Sequence, residues 1–347
     1  MLTDDADKAT DEQGSLVGTV LARTYKLDRL LAEGGMGAVY MGKHLRTGGL
    51  CAVKVLHPQS AANSDIYERF LAEAQIISTL RHPHIVHVSD LNSDDRGMPF
   101  LVMELLEGED LETRLQREST LPLEAVLTLA REVGSAMQAA HNQGVVHRDL
   151  KPRNLFLARY EVGGRSLETV KVIDFGVSKI PRPASRATRN QLVLGTPRYV
   201  APEGALGQNS EIDGRADQFS LAVILYRALS GRLPFDSDNV VELLRQIVVD
   251  TPPPLTSLVA DLPLHVESAI ARAMSKSKLK RYATIMDFVH ALEGNEGFAE
   301  DAPVARLERV LLSGTEAVFR GTDGSRRLSL TPGVTRVPRH KPQQETR

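Results

Sequence analysis

The sequence predicts an α+β fold of two lobes, a small β-rich lobe followed by a larger helical lobe, with a cleft between them. Three observations support this fold class. Short runs rich in β-branched and aromatic residues dominate up to residue 105. Beyond Gly108, apolar residues recur at helical spacing instead. The 347 residues are also enough to bury a sizeable core.

The β-rich part is predicted element by element. Residues 25–27 and 38–40 are predicted strands that flank a glycine turn, and residues 51–56 and 100–103 are predicted to form two more. Between these strands, residues 66–80 carry apolar side chains at helical spacing. That stretch predicts a helix beside the sheet.

The later part of the chain predicts helices over Leu123–His141, over 216–229 and near 264–274. We divide the chain accordingly. The predicted parts are an acidic, disordered arm over 1–22, a domain over 23–295 with an N-lobe of 23–105 and a C-lobe of 106–295, and a basic, partly disordered tail over 296–347.

Composition excludes some classes of protein and leaves others open. Hydrophobic residues make up 42% and charged residues 25%, as is ordinary for a globular chain. The net charge of -2 provides no field that would recruit nucleic acid. The apolar run at 221–226 is far shorter than the ~20 residues of a membrane span, and the N-terminus does not look like a signal peptide. With Cys51 as the lone cysteine, we expect a cytoplasmic protein without a membrane span.

The strongest motif is His-Arg-Asp-Leu-Lys-Pro-Arg-Asn at residues 147–154. Transfer of a phosphoryl group to a hydroxyl needs a proton acceptor, a cation and a metal ligand, and Asp149, Lys151 and Asn154 can supply them in that order. The alternative is a polar loop with a solvated charge cluster. Seven fixed residues at ~5% usage each match too rarely by chance for that alternative to be attractive.

A second motif, Asp174-Phe175-Gly176, follows the apolar run 170–173. A carboxylate at a strand end can chelate Mg²⁺ between phosphates. The triplet alone is weak evidence, because an aspartate in a turn before a helix is equally common. Its place after Asn154 makes the metal-binding interpretation strong.

A glycine-rich segment, Leu-Ala-Glu-Gly-Gly-Met-Gly-Ala-Val, covers residues 31–39. Glycines let backbone amides approach phosphates closely, although a plain hairpin turn is the alternative. Lys54 lies inside the next apolar strand, and a lysine on a buried face needs an anion. ATP phosphates and Glu73 on the following helix would supply it, whereas an ordinary solvated helix face is the alternative for Glu73.

The fourth segment, residues 195–203, is a proline-punctuated loop that carries Thr196, and by itself it could be an ordinary surface loop. Together the four segments resemble the eukaryotic-like (Hanks-type) protein kinase family, over about residues 23–293 and in the family's order. The phrase at 33–40 looks most like the bacterial serine/threonine kinases. Lys151 and Thr196 favour a serine/threonine enzyme over a tyrosine kinase.

The resemblance implies a two-lobed kinase fold and transfer of the γ-phosphoryl group of Mg-ATP to serine and threonine hydroxyls of proteins, in the general class of non-specific serine/threonine protein kinases. It also implies autophosphorylation through a transient dimer. Its implied catalytic residues are Asp149 as base, Lys151, Lys54, Glu73 and Thr196, and its metal ligands are Asn154 and Asp174. Its implied nucleotide contacts are Ala32, Glu33, Gly34, Gly35, Met36, Gly37, Val39, Ala52, Lys54, Met103, Glu104, Leu106 and Asp110. It further implies that Asp217 anchors the catalytic loop, that Glu203 pairs with Arg281, and that phosphorylation of Thr188 switches the enzyme through Arg148.

The sequence departs from the family at three places. Ala32 replaces the first glycine of the loop, which limits backbone freedom there. The stretch from Asn154 to Asp174 is longer than in most relatives, and its extra residues, 159–169, predict a surface hairpin. Arg227 stands where relatives often carry glutamate.

Two other functions compete with an active protein kinase. A pseudokinase that acts as a binding scaffold would be expected to lack Lys54, Asp149 or Asp174, and all three are present. A small-molecule kinase of the aminoglycoside-phosphotransferase type would be expected to lack the Lys151 pattern and the segment at 195–203. In the tail, Arg326-Arg327-Leu328-Ser329 predicts a self-phosphorylation site, with a solvated basic tail as the alternative.

Overall fold

The computed structural model describes residues 16–175 and 197–295. The N-terminal part of this range is built on an antiparallel sheet. Its strands are β1 (Val20–Leu21), β2 (Tyr25–Glu33), β3 (Gly37–His44), β4 (Leu50–Leu56), β5 (Val88–Ser93) and β6 (Pro99–Met103). They lie in the order β1-β2-β3-β4-β6-β5.

Two helices connect β4 to β5, a single turn α1 (Pro58–Ala61) and the longer α2 (Ser64–Thr79). The apolar positions predicted for this stretch face inward on α2, where Phe70, Ala74 and Ile77 are buried. Burial of one apolar stripe is what holds such a helix to its sheet. It brings Glu73, which neighbours Ala74, to the inner side.

The predicted disordered arm over 1–22 is wrong at its C-terminal end. Val20 and Leu21 pair with Lys26 and Tyr25, and Leu21 is only 3% exposed. A strand of two residues is too short to show any periodicity, so the sequence pattern could not reveal it. Residues 1–15 and the tail at 296–347 lie outside the described residues, and the other domain boundaries stay predictions.

The C-terminal part is mainly helical. After β7 (Gly108–Asp110) its helices are α3 (Leu111–Glu118), α4 (Leu123–His141), α5 (Pro202–Ala205), α6 (Gly214–Ser230), α7 (Val240–Val249), α8 (Leu264–Ala273) and α9 (Ile285–Leu292). Helix α6 is central, because almost every side chain from Ala216 to Leu229 is buried. A helix that is buried on all sides lies inside a core. None of the helices within the described ranges is long and apolar enough to cross a bilayer.

A three-stranded sheet lies where the two parts meet. Strands β8 (Leu155–Val162) and β9 (Arg165–Val172) form a hairpin, and β7 pairs with β8. The hairpin predicted for 159–169 is therefore present, and Gly163 and Gly164 form its turn with φ of 58° and 77°. Val172 exchanges backbone hydrogen bonds with the segment before β5, at Val86 and His84. The two-lobed α+β prediction is confirmed, and these bonds fix the floor of the cleft between the lobes.

Candidate active site

A buried aspartate organises the predicted catalytic loop. Both carboxylate oxygens of Asp217 accept backbone N–H groups, from His147 at 2.8 Å and from Arg148 at 2.9 Å. Arg148 has φ of 64°, in the left-handed region that residues other than glycine rarely adopt. The two hydrogen bonds that Asp217 of α6 accepts hold the backbone in this strained conformation.

His141, at the end of α4, completes this anchor. Its Nε2 lies 2.8 Å from Asp217 Oδ2, and a Cβ on Gly214 would come within 2.6 Å of the His141 ring. Glycine at 214 therefore lets the ring approach α6. Burial opposes ionisation of Asp217, but the hydrogen bonds from His141 and from the His147 backbone outweigh it and lower the pKa of Asp217. Sequence reasoning missed His141, since nothing local links it to a residue in α6.

The residues predicted to handle the hydroxyl lie together after this anchor. Lys151 Nζ is 2.7 Å from Asp149 Oδ2. Asn154 donates from its side-chain nitrogen to the backbone oxygens of Asp149, at 2.9 Å, and of Asp174, at 3.4 Å. Two carbonyl acceptors on one side fix which way the amide is turned. Its Oδ1 has no hydrogen-bond donor within residues 16–175 and 197–295 and is free to act as a ligand.

On the opposite side of the cleft, Lys54 connects three elements. Its ammonium lies 2.8 Å from Asp174 Oδ1 and 3.4 Å from Glu73 Oε1. Burial lowers the pKa of Lys54, but the two carboxylates outweigh it and raise that pKa above its ordinary value. The Lys54 ammonium in turn lowers the pKa of Asp174, against the opposing effect of burial. Burial raises the pKa of Glu73, and Lys54 offsets that only in part.

Asp174 is half exposed, whereas its neighbour Phe175 is fully buried. Phe175 packs against the His147 ring, with centroids 4.7 Å apart. The backbone of Asp174 has φ of 53°, so a sharp turn separates the two side chains. The buried phenyl ring thereby directs the Asp174 carboxylate toward Lys54 in the cleft.

The glycine-rich segment forms the turn between β2 and β3. A Cβ on Gly37 would lie 2.2 Å from the Val55 carbonyl oxygen, so only glycine permits β3 to approach β4 there. Gly34 and Gly35 have room for a Cβ. Glycine would therefore be required at these two positions only when a bound ligand approaches the backbone closely. Ala32 pairs with Val39 across the two strands and is exposed.

His57, which follows β4, holds this turn through two hydrogen bonds. Its Nε2 is 3.0 Å from the Gly34 carbonyl oxygen, and its backbone N–H donates to the Met36 carbonyl at 3.0 Å. Sequence reasoning missed His57, because its partners lie more than twenty residues away in the turn between β2 and β3. Glu33 is 3.7 Å from the same ring nitrogen.

The predicted nucleotide contacts line one side of the sheet and the segment after it. Val39 lies opposite Lys54, and Ala52 opposite Met103, in neighbouring strands. Leu106 follows in the connection to β7 and packs against the core. Val39, Ala52 and Met103 therefore lie on the three neighbouring strands β3, β4 and β6.

Two of the predicted nucleotide contacts already have partners. The Glu104 carboxylate accepts from Lys171 Nζ and from the His87 backbone, both at 2.7 Å. Asp110 is the N-cap of α3 and accepts from the Thr113 N–H at 3.0 Å and hydroxyl at 2.9 Å. Any contact of Glu104 with adenine is therefore through its backbone, and a ribose contact by Asp110 would share its carboxylate with the helix cap.

Four predicted residues lie outside the described ranges. They are Gly176, Thr188 and Thr196, between 176 and 196, and Ser329 in the tail. The predicted pair of Glu203 and Arg281 is present, with two parallel hydrogen bonds of 2.8 Å each.

Residues 25–286 match the protein kinase domain family, which is most of the chain. The chain belongs to the protein kinase family. This kinase is 39% identical over 283 residues to serine/threonine-protein kinase Pkn1 of Myxococcus xanthus, covering 82% of this chain and 40% of that protein. It is 37% identical to serine/threonine-protein kinase PknA of Mycobacterium tuberculosis H37Rv, covering 80% of this chain and 62% of that protein. The match thus spans about half the length of these relatives.

Among solved structures, the kinase is similar to the kinase domain of Mycobacterium tuberculosis PknI. The TM-score is 0.61 at 28% identity, and the match covers 80% of this chain and 98% of that one. These relatives confirm the resemblance to bacterial Hanks-type serine/threonine kinases. Nothing in the comparisons favours the pseudokinase alternative.

Proposed function

We propose that this kinase transfers the γ-phosphoryl group of Mg-ATP to serine and threonine hydroxyls of proteins, as a non-specific serine/threonine protein kinase. One observation carries the proposal. Lys54 is held between Glu73 and Asp174 on one side of the cleft, and Asp149, Lys151 and Asn154 lie together on the other. A cation for phosphates, two oxygen ligands for a metal and a carboxylate base are what phosphoryl transfer requires.

The donor set fits magnesium. The Asp174 carboxylate and the unengaged Oδ1 of Asn154 are hard oxygen ligands of the kind that Mg²⁺ prefers. Among the described residues these two are the protein ligands on offer, as expected where substrate phosphates and water complete the coordination. When bound, Mg-ATP would supply the phosphoryl group and its neutralising metal charge.

The chain's own residues would perform the remaining steps. Asp149 would orient the acceptor hydroxyl and take its proton, and Lys151, 2.7 Å from that carboxylate, would balance charge on the group in transfer. Lys54 would neutralise phosphate oxygens, with Glu73 fixing its position. Thr196, which lies outside the described residues, stays a catalytic residue only by the resemblance to the family.

The test measures phosphoryl transfer from labelled ATP to a protein substrate and to serine and threonine peptides, with Mg²⁺ present. We expect Asp174→Ala to abolish turnover and Asp149→Asn to lower kcat by roughly 10²–10⁴, the usual contribution of a positioned base. The matched control is Asp95→Asn, an exposed aspartate in the turn between β5 and β6. Folded wild-type protein that binds ATP without transferring phosphate would instead support the scaffold alternative.

Autophosphorylation through a transient dimer, protein partners rather than nucleic acid, and a cytoplasmic location with its supply of ATP also belong to this proposal. Mass spectrometry of the purified kinase before and after incubation with Mg-ATP tests the first of these. Mixing catalytically dead Asp149→Asn protein with active kinase shows whether phosphate is delivered between copies.

A further inference from the structure

Beside the catalytic base, the surface carries a cation, Arg153, that makes no hydrogen bond or ion pair with the described residues. Arg153 lies in the turn Pro152–Asn154, two residues after Lys151, and is exposed. No ion pair or hydrogen bond engages its guanidinium within residues 16–175 and 197–295. The hydrogen bond from Arg227 is the main cause that lowers the pKa of Glu112, at the start of α3, and the charge of Arg153 adds a smaller effect.

The carboxylates near Arg153 are already occupied. Glu112 accepts two parallel hydrogen bonds from Arg227, at 2.7 and 2.8 Å. Arg227 also donates to the Tyr199 hydroxyl, in the segment that follows Thr196. This bidentate geometry is strong and leaves Glu112 little capacity for a further cation. We call Lys151, Arg153, Glu112, Arg227 and Tyr199 the acceptor strip.

Two further cations in and beside the acceptor strip are also paired with carboxylates. Arg198 pairs with Asp236 at 3.0 Å, and Lys151 pairs with Asp149 at 2.7 Å. The Nε of Arg198 is buried and has no acceptor in the described part of the chain. Of the described carboxylates in and beside the strip, Glu112, Asp149 and Asp236 are all paired with cations. A basic substrate side chain would therefore compete with those cations, whereas an acidic one would find Arg153.

The sequence between Asp174 and Tyr199 strengthens this asymmetry. Residues 176–198 contain five Lys/Arg, at positions 179, 182, 186, 189 and 198, and no Asp or Glu. Whatever its conformation, this segment cannot contribute a carboxylate to neutralise Arg153 or to bind a basic substrate.

We propose that this kinase, given the proposed protein kinase activity on which the inference rests, selects acidic acceptor sequences, and that Arg153 is a specificity-determining residue. An acidic side chain near the acceptor hydroxyl would form a charge-assisted hydrogen bond with Arg153. A basic side chain would meet like charge with no compensating partner, which discriminates as effectively as attraction does. Positive charge around the site would also speed the approach of acidic substrates at low salt.

The test uses three peptides that share one threonine and differ only in flanking residues, which are glutamate, glutamine or arginine. The kinase is assayed both before and after phosphatase treatment, because phosphate on the chain would neutralise some of the cations. We expect kcat/KM to be highest for the glutamate peptide and lowest for the arginine peptide. The glutamate preference should fall with added salt, as expected for exposed charges.

Charge reversal at Arg153 is the decisive variant. Arg153→Glu should lower the ratio of glutamate-peptide to arginine-peptide kcat/KM by at least about three- to five-fold, the factor expected for an exposed charge pair. Arg153→Gln should give an intermediate ratio. Arg165→Glu, an exposed arginine in the turn-proximal part of the β8–β9 hairpin, makes the same change in net charge and should leave the ratio as it is.

These outcomes distinguish failure of the acidic preference from failure of the proposed kinase activity. Equal rates on the three peptides, or a preference for arginine, would overturn the acidic preference while leaving the kinase activity established. An unchanged ratio in Arg153→Glu would overturn the role of Arg153. Failure of the wild-type kinase to phosphorylate any peptide or protein would overturn both. A confirmed acidic preference would also make Ser329, which follows two arginines, a poor self-substrate.

Discussion

At the scale of single residues, His57 is the residue whose role follows most directly from geometry. It bonds both sides of the glycine turn, through its ring to the Gly34 carbonyl and through its backbone to the Met36 carbonyl. The backbone bond survives any substitution except proline, so side-chain variants isolate the ring contact. The glycine turn is where nucleotide phosphates are expected, and its position should therefore affect ATP binding more than the chemical step.

We predict that His57→Ala raises the KM for ATP by about two- to ten-fold with a smaller change in kcat, since one hydrogen bond contributes roughly 0.5–1.5 kcal/mol net. His57→Gln retains a side-chain N–H donor and should recover much of the loss. Steady-state kinetics with ATP as the varied substrate measures both. His290→Ala, an exposed histidine on α9, is the control. An unchanged KM in His57→Ala would show that the contact does not position the turn.

Ala32 gives a second prediction at this scale. Its methyl group occupies an exposed strand position opposite Val39, where relatives place glycine. Restoring glycine increases backbone freedom at the edge of the turn, and we expect Ala32→Gly to bind a non-hydrolysable ATP analogue modestly more tightly. Titration calorimetry on both proteins decides the point, and equal or weaker binding by the glycine variant would refute it.

At the scale of elements, the sequence predicted long periodic segments well and short ones poorly. Helix α4 was predicted over Leu123–His141 and is observed there, because nineteen residues give several turns of apolar spacing. Strand β5 (Val88–Ser93) was missed, since only its first residue is buried and the rest are polar or half-buried. Such a strand exists because β6 pairs with it, and that partner is not visible in local sequence.

The site residues were likewise predicted where local sequence carries a signal and missed where their contacts are distant. Motifs of fixed spacing revealed Asp149, Asn154, Asp174 and Lys54, and the structure brings them into one cleft. His141 and His57 were not predicted, because their importance arises from contacts with distant residues. Gly214 is informative only once the His141 ring is seen against it.

The β8–β9 hairpin is joined to α3 by a network of charges. Glu109 accepts from Arg117 at 2.5 and 2.8 Å and from Arg114 at 2.7 Å, and Arg114 also donates to Glu168 on β9 at 2.7 Å. The hydrogen bond from Arg117 is the largest of the effects that lower the pKa of Glu109 from about 4.5 to about 2. Arg114 therefore couples the extended hairpin to the helix that Asp110 caps.

The sign of the resulting pH dependence follows from linkage. A carboxylate whose pKa is lower in the folded state stabilises the fold above its unfolded pKa and loses that contribution as the pH falls toward the folded value. We predict that Glu109→Gln unfolds with less pH dependence than wild type between about pH 4.5 and about pH 2. Urea unfolding across that window measures it. Glu161→Gln, an exposed glutamate on β8, should follow the wild-type curve, and identical curves for all three proteins would contradict the prediction.

At the scale of the whole molecule, a single buried ion pair joins the segment after Tyr199 to the end of the domain. Glu203 on α5 is 5% exposed and Arg281 is 3% exposed. Arg281 also donates from Nε to the Ser275 carbonyl at 2.9 Å and from Nη1 to the Arg215 carbonyl at 3.0 Å. One guanidinium thereby satisfies acceptors in the first turn of α6 and after α8, besides the carboxylate on α5.

Breaking such a pair leaves a charge buried without a partner, which is far costlier than the pair's net contribution. We predict that Arg281→Met lowers the free energy of unfolding by about 3–5 kcal/mol, since it leaves Glu203 and the backbone carbonyls of Ser275, Arg215 and Lys276 without this donor. Replacing both partners, as Glu203→Gln with Arg281→Met, should recover part of this loss because no buried charge remains. Urea unfolding of the single and double variants forms a double-mutant cycle that measures the coupling.

Arg245 allows a comparison with the buried Arg281. It forms equally short contacts with Glu242 and Asp250 but is about half exposed. Water and salt screen that network, so Arg245→Met should change stability far less than Arg281→Met, and its small effect should diminish further with salt. The effect of Arg281→Met should persist at high ionic strength because the pair is shielded from solvent. Similar losses for both variants, or a loss at Arg281 that salt removes, would mean that geometry alone and not burial determines the contribution of these arginines. A kinase whose fold is intact in Arg281→Met but whose transfer rate falls would further indicate that this pair positions the acceptor segment around Tyr199.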